Sequence, residues 1–237
     1  MAEELWKSLQ TQDRLIKLTI GDSEKAPVYV QQKLLESVAP WFENALKRDT
    51  FVEGETGSLS FPEDDVEAWK VLVCWTMKRI SSVDILDPDA GPELAAKCWV
   101  LGDKYDIVRF QDEAMTAILK YFRQTRLCAL SREKLNRTLD VCPPDSKLAE
   151  YMTMEIAHYM ATGDIDWEQA SVLHLGHLWE DFCKARSDSY ARGWQYWSAG
   201  GFKAPRMSYH RGGQYMIGKK VLANVDAESD RSDSEED

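Results

Sequence analysis

Two short apolar runs open the patterned part of the chain. Leu15-Ile16-Lys17-Leu18-Thr19-Ile20 and Val28-Tyr29-Val30 are separated by Gly21-Asp22-Ser23 and Pro27, which is turn chemistry, so the two runs predict a β-hairpin. Leu34, Leu35 and Val38 follow at helical spacing until Pro40, which cannot sit inside a helix and forces a break. Trp41, Phe42, Ala45 and Leu46 restart the helical pattern with Pro40 in its first turn, and this predicts Trp41 and Phe42 in the core. Residues 47–57 read as a charged, glycine-containing loop. Ser58-Leu59-Ser60-Phe61 then alternates as a strand does, and Pro62 ends it.

Helical periods dominate the rest. Glu63-Asp64-Asp65 supplies a cap and an acidic first turn for a helix over 66–79, with Trp69, Leu72, Val73 and Met77 as its buried stripe. After a Pro/Asp/Gly loop at 82–92, a helix returns over 93–101. A tight turn leads to another that ends near Phe122, with Phe110, Ala114, Ala117, Ile118 and Tyr121 facing inward. Pro143-Pro144 breaks the chain, and Asp145-Ser146 caps a helix carrying Leu148, Met152, Ile156 and Tyr159. A last helix is predicted from near Asp166, with Trp167, Ala170, His174, Leu178 and Phe182 on one face. From Arg186 onward the periodicity disappears, which predicts a tail unable to bury enough surface to fold alone.

These elements predict an α+β fold: a small sheet covered by a helical cluster, then additional helices and a disordered tail. The organisation expected is a lead-in at 1–14, in which Leu5, Trp6 and Leu9 could form one helical turn, a first domain at 15–125, a helical extension at 126–185 and the tail at 186–237.

Charge and cysteine content narrow the function classes. The formal net charge of −11 argues against general nucleic-acid binding, although much of it sits in the run from Asp226 to Asp237. The N-terminus lacks a basic segment followed by an apolar one, and no stretch approaches a membrane span, so an intracellular protein, cytoplasmic or nuclear, is expected. Cys74, Cys98, Cys128, Cys142 and Cys183 are scattered without a Cys-x-x-Cys pair, which predicts reduced, structural thiols, with Cys74 and Cys98 acting as small hydrophobes.

Four stretches in order resemble a BTB/POZ domain of the fungal type. Val30-Gln31-Gln32-Lys33-Leu34-Leu35-Glu36-Ser37-Val38-Ala39-Pro40-Trp41-Phe42, after the hairpin, is similar to that family's V-H-K-x-L-L-x-S-x-S-P-x-F, with Gln31-Gln32 in place of His-Lys. Phe51 and Glu53, then Phe61-Pro62-Glu63-Asp64-Asp65, Trp69 and Trp75, resemble its F-x-E run, its strand with L-P-E-D-D, and the aromatic residues of the helix that follows. The stretch from Ala95 to Ile107 is similar to A-x-x-Y-x-L-A-D-K-Y-x-I, a helix, a turn and the start of the next helix. The resemblance covers roughly residues 15–122, and a helical extension is often found in such proteins. It implies a protein–protein interaction module, a self-associating scaffold or adaptor that forms a homodimer and has no catalytic activity. An alternative it implies is a substrate adaptor of a cullin-3 ubiquitin ligase, because Phe51, Val52 and Glu53 match the apolar-x-Glu pattern of the loop that meets the cullin. The plainer reading of those residues has Phe51 plugging the core and Glu53 as a solvated charge.

No catalytic, metal or cofactor site is predicted: a phosphate-binding Gly-rich loop, H-E-x-x-H and G-x-S-x-G are all missing. His174 and His177, one turn apart with Asp181 and Cys183 nearby, make an incomplete ligand set. His174 shares an apolar stripe and reads as a core or boundary histidine. The basic and aromatic segment from Arg186 to Lys220, with cations for phosphate and Trp194, Tyr196, Trp197 and Tyr209 for stacking, has the ingredients of single-strand nucleic-acid binding, a second alternative in which the protein is a nuclear regulator. Its plainer reading is a linker whose positive charge attracts the acidic end. Ser232 and Ser234, with Glu235 and Asp237 three positions later, resemble substrates of acidophilic kinases such as casein kinase 2.

Overall fold

In the computed structural model, which describes residues 13–21, 26–48, 51–78, 92–125 and 130–191, strand β1 (Leu15–Ile20) runs through the middle of a three-stranded sheet. Strand β2 (Val28–Gln31) lies antiparallel to it, Leu15 opposite Gln31 and Leu18 opposite Val28. On its other side β3 (Ser58–Phe61) lies parallel, Lys17 opposite Ser58 and Ile20 opposite Phe61. Alternation then decides which side chains go inward: Ile16, Leu18, Val30, Leu59 and Phe61 are buried, while Leu15 and Tyr29, diagonal neighbours on the outer face, are exposed.

Between β2 and β3 the chain forms α1 (Gln32–Glu36) and α2 (Pro40–Ala45), with Pro40 at the first turn of α2 after an extended Ala39. The expected loop at 47–57 contains a helix instead, α3 (Val52–Thr56), ended by Gly57 at φ 66°. That left-handed geometry favours glycine and turns the chain directly into β3, where the Gly57 carbonyl accepts from the Lys17 amide at 2.8 Å.

The remaining elements are α4 (Val66–Lys78), α5 (Pro92–Lys104), α6 (Val108–Gln124), α7 (Arg132–Asp140), α8 (Lys147–Ala161), α9 (Trp167–Ser171), a 3-10 turn at Gly176–Leu178 and α10 (Trp179–Ala191). Helix α5 packs on α4, α6 and α7, and α8 packs on α10. One core cluster holds residues from the sheet, from α5 and α6 and from α8 and α10, so the C-terminal helices share the interior of the first part. The α4 cap forms as its acids predict, with the Ala68 amide donating to Asp65 at 2.9 Å. Burial alone would raise the Asp65 carboxyl, but the Ala68 amide and the Lys97 ammonium at 3.0 Å outweigh it and hold it below its ordinary value. Lys97 also meets Glu93, and Glu93 meets Arg137, so one charged chain ties the start of α4 to α5 and α7.

Several expectations need correction. Met77 is exposed, because the buried side of α4 is centred on Leu72 and Trp75, and Met77 projects from the opposite side. Cys74 is exposed rather than a core hydrophobe, while Cys98 is buried. The single helix predicted from Asp166 is broken into α9, the 3-10 turn and α10. At the break, Asn136 of α7 donates to the Val172 carbonyl at 3.1 Å and accepts from the His174 amide at 3.0 Å, so a distant side chain satisfies backbone groups that a helix would have paired. Trp167 is therefore exposed, with the Arg186 guanidinium 4.1 Å from its ring centre. Helix α10 continues to Ala191, six residues past the expected boundary at 185. Residues 1–12, most of the 82–92 loop, Cys128 and residues 192–237, with Ser232 and Ser234 among them, lie outside the described residues.

Candidate functional site

An open groove of about 600 Å³ lies where α2, the start of α3, β3 and the turn after α5 meet. Its aromatic lining comes from Trp41, Phe51, Phe61 and Tyr105. The Trp41 ring sits edge-on to Tyr105 at 4.8 Å and near Phe61 at 6.1 Å, and Phe61 packs on Trp69 at 4.5 Å. Trp41 and Phe42 thus divide: Phe42 is 0% exposed, whereas Trp41, expected in the core, is 36% exposed and forms the groove wall. On a short helix adjacent residues point about 100° apart, so only one of them can face straight inward.

Asp64 anchors this end of the molecule. Its nearly buried carboxylate accepts from the Trp69 indole at 2.8 Å, the Tyr105 hydroxyl at 2.6 Å and the Lys104 ammonium at 2.6 Å. Burial first, then the Asp64 carboxylate, push the Tyr105 hydroxyl far above its usual pKa, so it stays protonated and keeps donating. These bonds join the β3–α4 turn to the α5–α6 turn and hold the aromatic lining in place.

Phe51, Val52 and Glu53 are all exposed, Phe51 by 52% and Val52 by 70%, and Phe51 and Glu53 line the groove. The expectation that Phe51 plugs the core is overturned: it caps α3 from the outside because the residue that faces inward on that helix is Gly54. A Cβ on Gly54 would lie 2.1 Å from the Lys47 carbonyl oxygen, so only glycine lets α3 pack this close. Arg14 reaches across from before β1 and donates to the carbonyls of Gly54 and Glu55. Gly54, Arg14 and Asp64 position the groove; the pattern read Asp64 only as part of the acidic run that caps α4 and gave no role to Gly54 or Arg14. Gly54 beside the apolar-x-Glu triplet was the available signal, whereas the other two act through contacts about 40 residues away.

The histidine pair turns to separate partners. His174, expected on an apolar helical stripe, is exposed in the break before the 3-10 turn, where its Nδ1 lies 2.9 Å from Asp140. His177 Nε2 faces the carbonyls of Leu139 and Cys142 at 3.1 and 3.2 Å, and Asp181 accepts from the Asp145 amide at 3.1 Å. Among the described residues no three His, Cys, Asp or Glu side chains come together as a metal site, and no helix is long and apolar enough to cross a membrane. Burial, helped by Asp140, pushes the Cys142 thiol up to about 12, and burial raises Cys98 likewise, so both stay protonated near neutrality.

No protein-family model matches the chain, and no curated protein matches it significantly.

Proposed function

We propose that this chain is a protein–protein interaction module of the BTB/POZ type, an adaptor or self-associating scaffold without catalytic chemistry, and that the groove beside Phe51 is where a partner is held. The observation that carries this reading is the outward position of Phe51, which lines the same groove as the open face of Trp41. Large apolar side chains that do not fill the interior, grouped at a concave aromatic surface, are the ordinary composition of an interface anchor. The family reading is supported by where the motif stretches fall: the first on the end of β2 and a helix pair broken at Pro40, the second at the start of α3, the third on a strand followed by a capped helix, and the fourth on a helix-turn-helix. Exposed Leu15 and Tyr29 on the outer face of the sheet supply apolar surface for self-association.

Exposure of the Phe51-Val52-Glu53 triplet also favours the cullin-3 adaptor as a specific form of the reading, since a core-plugging Phe51 could not have met a partner. The test is the double substitution Phe51→Ala, Glu53→Lys in the full chain. Both side chains are exposed, so the midpoint of thermal unfolding should stay within about 2 °C of wild type, while capture of cullin-3 from an extract should fall at least tenfold. Capture of cullin-3, and of every other partner identified by mass spectrometry, at wild-type levels by the folded variant would remove the groove from partner binding.

A further inference from the structure

The groove combines an aromatic lining with an acidic rim. Glu53, Glu63 and Asp64 line it against one cation, Lys104, three carboxylates to one ammonium and a formal net of two negative charges. Lys104 is bound to Asp64 at 2.6 Å. Glu53 and Glu63 are exposed, and among the described residues neither has an ion-pair partner.

The same chain carries the complementary chemistry. Residues 192–220 contain Arg192, Lys203, Arg206, Arg211, Lys219 and Lys220 with no Asp or Glu, and Trp194, Tyr196 and Trp197 lie among them. Resting on the reading of the groove as a partner site, we propose that this segment docks into the groove of its own chain, cations on Glu53 and Glu63 and an aromatic ring against Trp41 and Phe51. Arginine and aromatic side chains are the groups that bind best to such a surface, one through charge and the ring faces, the other through apolar area.

Reach is sufficient. Helix α10 ends at Ala191; Lys203 follows 12 residues later and Lys219 28 residues later. At about 3.3 Å per residue these links extend to roughly 40 and 90 Å, against a diameter of roughly 40 Å for a compact body of this size, so the longer link reaches any point of the surface. Tethering gives the segment an effective concentration on the order of millimolar, so a contact too weak to hold between separate molecules can hold within one. A partner of the groove then has to displace the chain's own segment. The acidic run from Asp226 to Asp237 is the rival site for the same cations.

Zero-length carboxyl–amine crosslinking of the full chain, in an equal mixture of ¹⁵N-labelled and unlabelled protein read by mass spectrometry, decides the matter. Same-isotope crosslinks should join Glu53 or Glu63 to Lys203, Lys219 or Lys220, and should fall at least threefold in 1 M salt, where the Debye length is about 3 Å. The triple substitution Arg192→Gln, Arg206→Gln, Arg211→Gln leaves every crosslinkable group in place and should cut the same products at least threefold. Lysines joined only to the acidic run, mixed-isotope groove crosslinks as abundant as same-isotope ones, which is what random pairing between chains produces, or products indifferent to salt or to the arginine substitutions would each overturn the proposal. Partner capture separates this from the reading it rests on. Loss of partner in the Phe51→Ala, Glu53→Lys chain without groove crosslinks in wild type leaves the partner site standing and removes the intrachain contact; crosslinks with unaffected capture do the reverse.

Discussion

Side by side on one short helix, Trp41 and Phe42 show how neighbouring aromatic residues take different work. Phe42 stacks with Tyr105 and meets Trp69 edge-on in a region sealed from water, whereas Trp41 keeps one face open to the groove. Phe42→Ala should therefore cost roughly 3 to 5 kcal/mol in urea unfolding, the usual price of emptying a buried aromatic site. Phe51→Ala, which removes an exposed ring, should stay within about 0.5 kcal/mol of wild type. A Phe42→Ala cost below about 1 kcal/mol would place that ring at the surface and undo the assignment of the α2 core face.

Helix α3 is only five residues long, too short to be stable through its own backbone bonds, so its position depends on what holds it from outside. Those holds are the Gly54 approach to Lys47, the left-handed Gly57 and the Arg14 guanidinium. Gly54→Ala puts a methyl group into the Lys47 carbonyl and should displace α3 at a cost of about 1 to 3 kcal/mol. Partner capture should fall as far as in the Phe51→Ala, Glu53→Lys chain although Phe51 and Glu53 are intact. Amide chemical shifts that change around Lys47 and Phe51 but not in α8 would show the displacement directly. Wild-type shifts and wild-type capture would mean that the local backbone absorbs the methyl group and that α3 is not held by this contact.

Across the molecule, the buried titratable groups of α8 add a pH dependence of their own. Glu155 is 8% exposed. Burial pushes its carboxyl from an ordinary 4.5 up to about 7, while a hydrogen bond with Tyr151 pulls the other way. The folded chain keeps this acid neutral where the unfolded chain ionises it, so its contribution is full below pH 4.5, declines as pH rises and is lost by about pH 7. The loss amounts to up to about 3 kcal/mol. Glu155→Gln, which cannot ionise, should match wild type near pH 4.5 and exceed it by up to that amount at pH 8, measured by urea unfolding at each pH. One turn later burial lowers the His158 pKa, with Asp164 opposing, so its contribution has the opposite sign and is lost as pH falls below 6.5. A wild-type minus Glu155→Gln difference that is flat between pH 4.5 and 8 would place Glu155 in contact with water.

What the amino-acid pattern determined alone is local in origin. Alternation and turn residues located the hairpin and β3, the Pro40 break separated α1 from α2, and Asp65 and Ser146 marked the starts of α4 and α8, where their side chains accept from Ala68 and Ala149. The groove was legible only as the triplet Phe51-Val52-Glu53, with the direction of Phe51 left open. Tertiary contacts decided that direction, because Gly54 takes the inward place on α3, and they decided which of Trp41 and Phe42 is sealed. They also broke the helix expected from Asp166, through Asn136 bonding to Val172 and His174, 36 and 38 residues away. Periodicity reports how side chains are spaced along one segment. Burial and helix breaks depend on which distant groups arrive beside it, and those arrivals are fixed only when the segments pack together.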